Sequence, residues 1–265
     1  ESNPGFSGDE SGVLFVRNDN LYEIKLNGSG LIQLTNFIHG DKKSKEEDNT
    51  QQKWLKAQQL ELFDVIKEKD KEEKLNAANR KALQPKKLRE INVDDKRIRG
   101  LQISPDERYI TYRLVTTPDD KQTIVPDYVT ASGFTEDIPN REKVGGPQPS
   151  SVTYIFDRQR DTVYSISTKE IPGIKDLPDY LKDYPKELEA RKKANEDRKV
   201  DISGLYWNGD GKYAVVEVNS QDNKDRWIMK LNVPTGQLSL LDRERNEAWV
   251  GGPGTGNLGW TDNTH

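Results

Sequence analysis

Hydrophobic and polar residues alternate in short runs along most of this chain, and small groups of turn residues separate the runs. The clearest case is Leu101–Leu114 (LQISPDERYITYRL), in which an apolar run, a Ser-Pro-Asp-Glu turn and an alternating run of Tyr, Ile, Thr and Tyr follow one another. Proline pre-sets φ at the second position of a turn, and aromatic and β-branched residues favour strands. This stretch therefore predicts two antiparallel strands joined by a tight turn.

The same strand–turn–strand pattern occurs again in other parts of the chain, each time with an aspartate in the turn. The four aspartates are Asp9 (in Gly5–Arg17, a degraded copy), Asp106, Asp210 (in Leu205–Val218) and Asp262 (in Leu258–His265). Asp106 and Asp210 lie 104 residues apart, and Asp210 and Asp262 lie 52 residues apart. A repeat of about 50 residues that opens a group of short strands is typical of a β-propeller blade.

The predicted fold class is therefore all-β, with β-propeller blades of four antiparallel strands and helical insertions. The remaining predicted strands are Val13–Arg17, Leu21–Leu26, Leu31–Thr35, Val152–Asp157, Thr162–Ser167, Ile202–Asn208, Lys212–Asn219, Arg226–Val233 and Gln237–Asp242. They give one partial blade, two whole blades and the start of another, all within one propeller domain over 1–265. Because propellers close with four or more blades, we expect a partial propeller that is cut at both ends.

Three segments interrupt the predicted blades. Two are predicted to be helical, at about 41–90 and 177–198; Pro178 and Pro185 in the second suit the first turn of a helix. The third, 116–151, is rich in Pro, Gly, Thr and Asp and is predicted to be a long loop. Long loops without regular structure are usually functional or disordered.

The first helical insertion is predicted to be amphipathic. Its apolar residues recur at helical spacing and are expected to pack: Trp54, Leu55, Leu62, Phe63 and Ile66. The charged run that follows contains Glu72-Glu73, for which we favour a solvated helix face over an anchor for a cation.

Composition and charge narrow the classes of function. Hydrophobic and charged residues each make up 32% of the chain, the net charge is −4, and acids and bases are mixed, so we expect no nucleic-acid partner. The chain has no cysteine, which excludes disulfides and thiolate metal sites. Its apolar runs fall short of the about 18 residues of a membrane-spanning helix, so it is not expected to be transmembrane.

No catalytic, metal-binding or cofactor-binding residue is assigned from the sequence. The stretch Gly5-Phe6-Ser7-Gly8-Asp9 lacks the last glycine of a nucleophile elbow and falls in a blade turn. The two histidines, His39 and His265, have no context that fits a catalytic triad or a zinc site. We therefore expect no cofactor and no catalysis by this chain alone.

Three segments resemble the propeller of bacterial serine peptidases in the prolyl oligopeptidase and dipeptidyl-peptidase IV group: SPDERYITY, VPDYVTASGFTEDIPNREKVGGPQPSS and NEAWVGGPG. The resemblance implies that the parent protein is a serine peptidase (a hydrolase) in the periplasm or secreted. It also implies an α/β-hydrolase domain with a Ser-Asp-His triad, absent from this chain, and a propeller that admits only small peptides. The dipeptidyl-peptidase branch holds the free amino terminus of the substrate with a pair of glutamates near aromatic residues. Since no Glu-Glu pair flanked by Tyr or Trp occurs here, that exopeptidase specificity is not carried over.

Two functions remain open from the sequence. One is the substrate-gating and substrate-orienting part of a dipeptidyl-peptidase-like serine peptidase; the other is a piece of a non-enzymatic propeller scaffold that binds protein or peptide partners. The expected partners are a peptide substrate, the hydrolase domain of the same protein and, as an open alternative, further copies of this chain in a homo-oligomer.

Candidate substrate-binding residues lie in the connection 116–151, at Glu136, Asp137 and Arg141. The two acids could hold the ammonium group of a peptide, and the arginine a carbonyl or carboxylate, because charge-assisted hydrogen bonds are the stronger ones. The alternative is a surface loop whose charges are solvated.

Overall fold

The structure is a computed structural model that describes residues 4–40, 50–62, 64–83, 87–119, 122–143 and 146–264. The chain divides into two compact units, one made of Glu1–Gln33 with Asp95–His265 and the other of Leu34–Asp94. The described residues of the first unit form three four-stranded antiparallel sheets, which confirms the predicted all-β class with blades of four strands. The assignment of 1–265 to a single propeller domain stays a prediction.

The first sheet corresponds to the predicted partial blade. Its strands are β1 (Gly5–Phe6), β2 (Gly12–Arg17), β3 (Asn20–Lys25) and β4 (Gly30–Gln33). The strands pair in chain order, and a short turn connects each strand to the next. The innermost strand, β1, is only two residues long.

The second unit is the predicted helical insertion with a strand on each side. Its elements are β5 (Asn36–Ile38), α1 (Thr50–Leu62), α2 (Asp64–Leu83) and β6 (Glu90–Asn92), and β5 pairs with β6 in parallel. Glu72 and Glu73 are exposed on α2, as expected. Trp54 and Leu55 are 58% and 47% exposed, so the helical pattern does not bury them. The remaining residues expected to pack, Leu62, Phe63 and Ile66, lie outside what the structure describes of side chains.

The second sheet is built from the stretch that shows the pattern most clearly. Its strands are β7 (Arg97–Ile103), β8 (Tyr109–Thr116), β11 (Ser150–Asp157) and β12 (Thr162–Ser165), in the order β12-β11-β8-β7. The connection between β8 and β11 contains two further strands, β9 (Gln122–Asp127) and β10 (Glu136–Glu142), which pair with each other. The connection is therefore not the structureless loop that its composition predicts.

The third sheet follows the second helical insertion. That insertion is a 3-10 helix at Asp179–Asp183 followed by α3 (Pro185–Ala194), with a proline at the start of α3 as predicted. The strands of the sheet are β13 (Val200–Trp207), β14 (Ala214–Ser220), β15 (Asp225–Asn232) and β16 (Gln237–Arg245), paired in chain order. All four strands were predicted, to within a few residues at each end.

The main hydrophobic core joins the second and third sheets and the segment after β12. Its members come from the strands of both sheets and from that segment, and include Ile155, Ile166, Ile174, Val216, Val218, Trp227 and Met229. Trp227 is fully buried and donates its indole N–H to the carbonyl of Pro172 at 2.9 Å. The segment that leads to the insertion is thereby fixed to the third sheet through a satisfied polar contact as well as apolar packing.

The aspartate turn has the same hydrogen bonds in all three sheets. In the second sheet, Ser104 Oγ donates to Asp106 Oδ1 and accepts the N–H of Tyr109 at 2.9 Å. In the third sheet, Asn208 donates to Asp210 and accepts the N–H of Tyr213. In the first sheet, Ser7 donates to Asp9 and accepts the N–H of Gly12. A polar side chain at the first turn position therefore connects the turn aspartate to the start of the second strand.

The fourth predicted copy is only partly formed. Asp262 accepts the N–H of Thr264 at 2.6 Å. In each of the other turns the aspartate likewise accepts the N–H of the residue two positions after it. The residue two positions before Asp262 is Trp260, which has no oxygen to accept a strand N–H, and its indole donates to Tyr206 O at 3.2 Å instead. The described residues between 246 and 264 contain no strand, so the predicted first strand of a further blade is not present there.

Glycines allow the turns of neighbouring sheets to approach each other closely. A Cβ on Gly8 would collide with the backbone of Pro105, and a Cβ on Gly211 would lie 2.8 Å from the backbone nitrogen of Asp106. Gly211 also has a φ of +72°, which disfavours any side chain. The three turns are therefore in contact through glycines at their surfaces.

Replacing Gly8 by Ala should destabilise the chain by about 1–3 kcal/mol, because the collision is with backbone and the turns must separate. Gly5→Ala is the matched control, since a Cβ on Gly5 meets nothing within 4 Å. Urea unfolding of both variants and the parent measures the effect. Equal midpoints for the two variants would show that the turns do not touch in solution.

The turn aspartate also predicts a dependence of stability on pH. The N–H of Ser11, and then the hydroxyl of Ser7, lower the pKa of Asp9 from its usual 3.8 to about 2. Since the pKa is depressed in the folded state, the contribution of Asp9 to the free energy of unfolding is complete above about pH 4. It is lost as the pH falls toward 2.

Urea unfolding from pH 7 to pH 2 should therefore show Asp9→Asn less stable than the parent at neutral pH, with the difference vanishing at the acid end. Glu107 acts in the opposite direction, since its pKa is raised by burial and by Glu23, and taking the difference between the two proteins leaves only the small part of this effect that is due to Asp9. A difference that stays constant over the whole range would mean that the Asp9 carboxylate has no special role in the turn.

Candidate functional site

The three candidate residues lie on a hairpin that projects from the second sheet. We call Gln122–Glu142 (β9, the tip 128–135 and β10) the hairpin arm. It interrupts the sheet between its second and third strands, and Glu136, Asp137 and Arg141 are all exposed on it. The structure therefore brings the three residues onto one element of regular structure.

The two acids point in opposite directions. Glu136 pairs with Asp127 across the hairpin, and Asp137 pairs with Pro126. Successive side chains of a strand alternate between its two faces, so Glu136 and Asp137 cannot both contact one small group. The hairpin geometry thus divides the acidic pair between the two faces.

Asp127 lies on the same face as Glu136, directly opposite it across the hairpin. Side chains of such cross-strand pairs lie about 4.5–5.5 Å apart at Cβ, and two like charges there are unfavourable unless a cation lies between them. Asp127 accepts the N–H of Val129 at 3.0 Å, and Ser132 Oγ lies 3.4 Å from Glu136 Oε1. The sequence pattern did not identify Asp127 as a candidate residue. Its position opposite Glu136 depends on the register of the two strands and not on spacing along the chain.

Arg141 lies within an irregularity in β10, where the register shifts between Pro139 and Glu142. Its carbonyl accepts a hydrogen bond from Thr123, and its N–H donates to Asn140 Oδ1 at 2.8 Å. No ion pair within 4.0 Å joins Arg141 to Glu136 or Asp137. The guanidinium is therefore exposed and is not neutralised by either candidate acid.

Both outer edges of the hairpin carry a proline, Pro126 in β9 and Pro139 in β10. A proline lacks the N–H, so a strand tolerates it where that position faces away from the partner strand. In the described part of the chain β9 and β10 pair only with each other, so each outer edge lacks a donor. The arm therefore resists addition of a further strand and offers its faces and tip instead.

The tip and faces of the arm combine apolar and acidic groups. Tyr128, Val129 and Phe134 are 77–91% exposed, and the residues from 122 to 140 include three acids and no basic residue. A two-stranded hairpin is marginally stable in water by itself, and exposed apolar patches mark binding surfaces. The arm thus has the surface chemistry of a contact for something cationic and apolar.

The candidate nucleophile and histidines take no part in such a site. Ser7 is 2% exposed, and its hydroxyl is used inside the turn as described above, which confirms its place in a blade turn. His39 belongs to the second unit, where its Nδ1 lies 3.2 Å from the carbonyl of Asp94. His265 lies outside the described residues. Among the residues described, no three His, Asp or Glu side chains form a metal-binding group, and no helix is long and apolar enough to cross a membrane.

No protein-family model matches this chain, and no curated protein matches it either. Among solved structures it is similar to dipeptidyl peptidase 4 of Porphyromonas gingivalis, with a TM-score of 0.46 and 12% identity over 93% of this chain. It is also similar to a protein described as a dipeptidyl aminopeptidase IV from Bacteroides ovatus, with a TM-score of 0.44 and 10% identity over 94% of this chain. The chain spans about a quarter of each of these proteins, 26% and 25% of their length.

A separate cluster of charged side chains surrounds Asp225 at the start of β15. The carboxylate of Asp225 is fully buried and accepts hydrogen bonds from three arginines, Arg198 (2.5 Å), Arg243 (2.8 Å) and Arg245 (3.0 Å). Each arginine also binds a second acid at 2.7 Å, namely Asp222, Asp176 and Glu247 respectively.

Each of the three arginines binds two acids, which indicates a structural role, although the Nε of Arg198 has no hydrogen-bond partner. The N–H of Asp179, and then the guanidinium of Arg245, lower the pKa of Glu247 below its usual value. Glu247 thereby connects the 3-10 helix to the third sheet, and Arg198 connects the residues after α3 to the same sheet. The cluster fixes the second helical insertion in place.

Asp225→Asn should destabilise the chain by about 3–5 kcal/mol, because it leaves three partly buried guanidinium groups without their shared carboxylate. Asp183→Asn makes the same chemical change at an exposed position and should have almost no effect. Urea unfolding at neutral pH measures both. A loss below about 1 kcal/mol for Asp225→Asn would mean that the outer acids alone neutralise the arginines.

Proposed function

We propose that this chain is the substrate-gating and substrate-orienting propeller portion of a dipeptidyl-peptidase-like serine peptidase that cleaves small peptides. Catalysis belongs to an α/β-hydrolase domain of the same protein, and the protein acts in the periplasm or outside the cell. The observation that carries the proposal is the hairpin arm, which presents carboxylates and exposed apolar side chains on one projecting element.

The chemistry of the arm suits one end of a peptide. An ammonium group bound against the face of Asp127 and Glu136 relieves the repulsion between the two carboxylates, and each contact is a charge-assisted hydrogen bond. A peptide on the opposite face meets Asp137 instead. Arg141, which forms an ion pair with neither Glu136 nor Asp137, suits a carbonyl or carboxylate of the same peptide.

A non-enzymatic scaffold is the second candidate, and the exposed tip of the arm favours it. Tyr128 and Phe134 offer large rigid apolar surface, which is typical of contacts with a protein partner. The two functions differ in what a change at the arm affects: substrate kinetics in one case and partner binding alone in the other.

The test uses the full-length protein that contains this chain and peptide pairs with free or blocked amino termini. If the ammonium binds between Asp127 and Glu136, then Asp127→Asn and Glu136→Gln should each raise KM for free peptides by about ten- to a hundredfold, with blocked peptides unaffected. Asp137→Asn makes the same charge change on the opposite face and serves as the matched control. If only Asp137→Asn raises KM for free peptides, the peptide binds on the face of Asp137. Whichever face binds it, Arg141→Gln tests the contact with a carbonyl or carboxylate.

Unchanged kinetics in all four variants would overturn a peptide site on the arm. Absence of peptidase activity in the parent protein, together with loss of a bound partner in Tyr128→Ser and Phe134→Ser, would favour the scaffold.

A further inference from the structure

A small cleft lies between the second and third sheets, at the edge strands β7 and β13. Its volume is about 60 Å³, with Thr111, Arg113 and Thr153 on one side and Ile202–Leu205 on the other. The side-chain amide of Gln102 on β7 donates a hydrogen bond to the carbonyl of Leu205 on β13 at 3.2 Å. The cleft is thus an inter-sheet space whose lining combines hydrogen-bonding side chains with apolar surface.

The cleft exists because both edge strands bulge at the same level. The register of β7 shifts between Arg99 and Gln102, and that of β13 shifts between Ile202 and Gly204. Each bulge contains a glycine, Gly100 and Gly204, four residues before the first turn position of its repeat. A bulge bends its strand away from regular pairing, so two bulges side by side keep the sheets apart there.

Two donors in the cleft have no hydrogen-bond partner. Thr111 is 1% exposed and its Oγ1 is unpaired, and the Nε of Arg113 is unpaired as well. Arg113 is held in position by its Nη1, which donates to Ile202 O at 2.8 Å. A buried hydroxyl or guanidinium N–H without a partner is costly, so these groups are arranged for an acceptor that the protein itself does not supply.

Positive charge is concentrated on the same face. Arg99 is the direct cross-strand partner of Arg113, and Arg97 is two residues before Arg99 on that face. None of the three forms an ion pair within 4.0 Å with a described acid. The nearby carboxylate of Asp201 accepts hydrogen bonds from Ser151 and Gln221 instead. Like charges directly opposite each other are unfavourable, and an anion between them removes the cost.

We propose that this cleft binds a carboxylate group, held by the Nε of Arg113 and the hydroxyl of Thr111 within the field of Arg97 and Arg99. A carboxylate has two acceptor oxygens for the two free donors and is small enough for about 60 Å³. A phosphate has more oxygens than the cleft has free donors. The carboxylate comes either from a small free acid or from a peptide, and the second source rests on the proposed function.

Sodium acetate is the first probe, titrated into the full chain and compared with sodium chloride at equal ionic strength. Calorimetry should show saturable acetate binding by the parent chain. Thr111→Val and Arg113→Gln should each weaken it by about tenfold or more. Thr111→Val removes a hydroxyl that has no partner, so the melting temperature without acetate should not fall and lost binding cannot be ascribed to unfolding. Arg191→Gln, on the exposed helix α3, is the control for the charge change and should bind acetate as the parent does.

The second probe separates the two sources. A tripeptide with a free carboxyl terminus and a blocked amino terminus should bind with the same dependence on Thr111 and Arg113, and its carboxyl-amidated form should not bind. Acetate binding without peptide binding supports the carboxylate site and overturns the peptide as its source, and it leaves the amino-terminal kinetics at the arm unaffected. Equal effects of acetate and chloride, or equal acetate binding in the parent and Thr111→Val, overturn the site and leave a cleft that holds only water.

Discussion

The hydrogen bonds inside the aspartate turns are the constraint on which the rest of the first unit depends. At the first turn position, Ser7, Ser104 or Asn208 accepts the N–H that begins the second strand and donates to the aspartate two residues later. Polar groups are costly to bury unless they are paired, and here the pairing is completed within six residues. The turns can therefore pack against one another, and glycines at their surfaces let the backbones approach closely.

Because the turns are in contact, the end of each innermost strand next to its turn is fixed in position. This determines where a gap can open between the second and third sheets. Four residues before the turn, the bulges at Gly100 and Gly204 shift the strands out of register, and the fixed turns prevent the sheets from closing over the gap. Among the described residues, the arginines beside this gap form no ion pair, whereas each of those around Asp225 binds two acids. The same residue type thus stabilises the fold in one place and is available to a ligand in the other.

The strands of all three sheets could be predicted because alternation with a period of two and the chemistry of the turns agree with each other. The hairpin arm could not, since Pro126 and Pro139 in its strands count against strand formation unless both edges are known to be free. The acids of the arm were found as neighbours in sequence, but a strand separates neighbours and brings Asp127 to Glu136 instead. The pairing of Arg99 with Arg113 was missed for a related reason, because it depends on the register of β7 against β8. Sequence spacing predicts which face a residue occupies within a strand, and it does not predict the neighbour across the ladder.

The net charge of −4 conceals two opposite local excesses, acids on the arm and arginines at the inner strands. A peptide with free ends is also a molecule of two opposite charges, and each end loses its hydration on binding unless a group of opposite sign replaces the water. If the arm holds an ammonium group and the cleft a carboxylate, neither contact by itself distinguishes a peptide from an amine or an acid. Together they do so through the distance between them, since an extended peptide spans about 3.3 Å per residue. Selection of short peptides would then require no closed gate, because a chain of the wrong length leaves one of its charged ends unpaired.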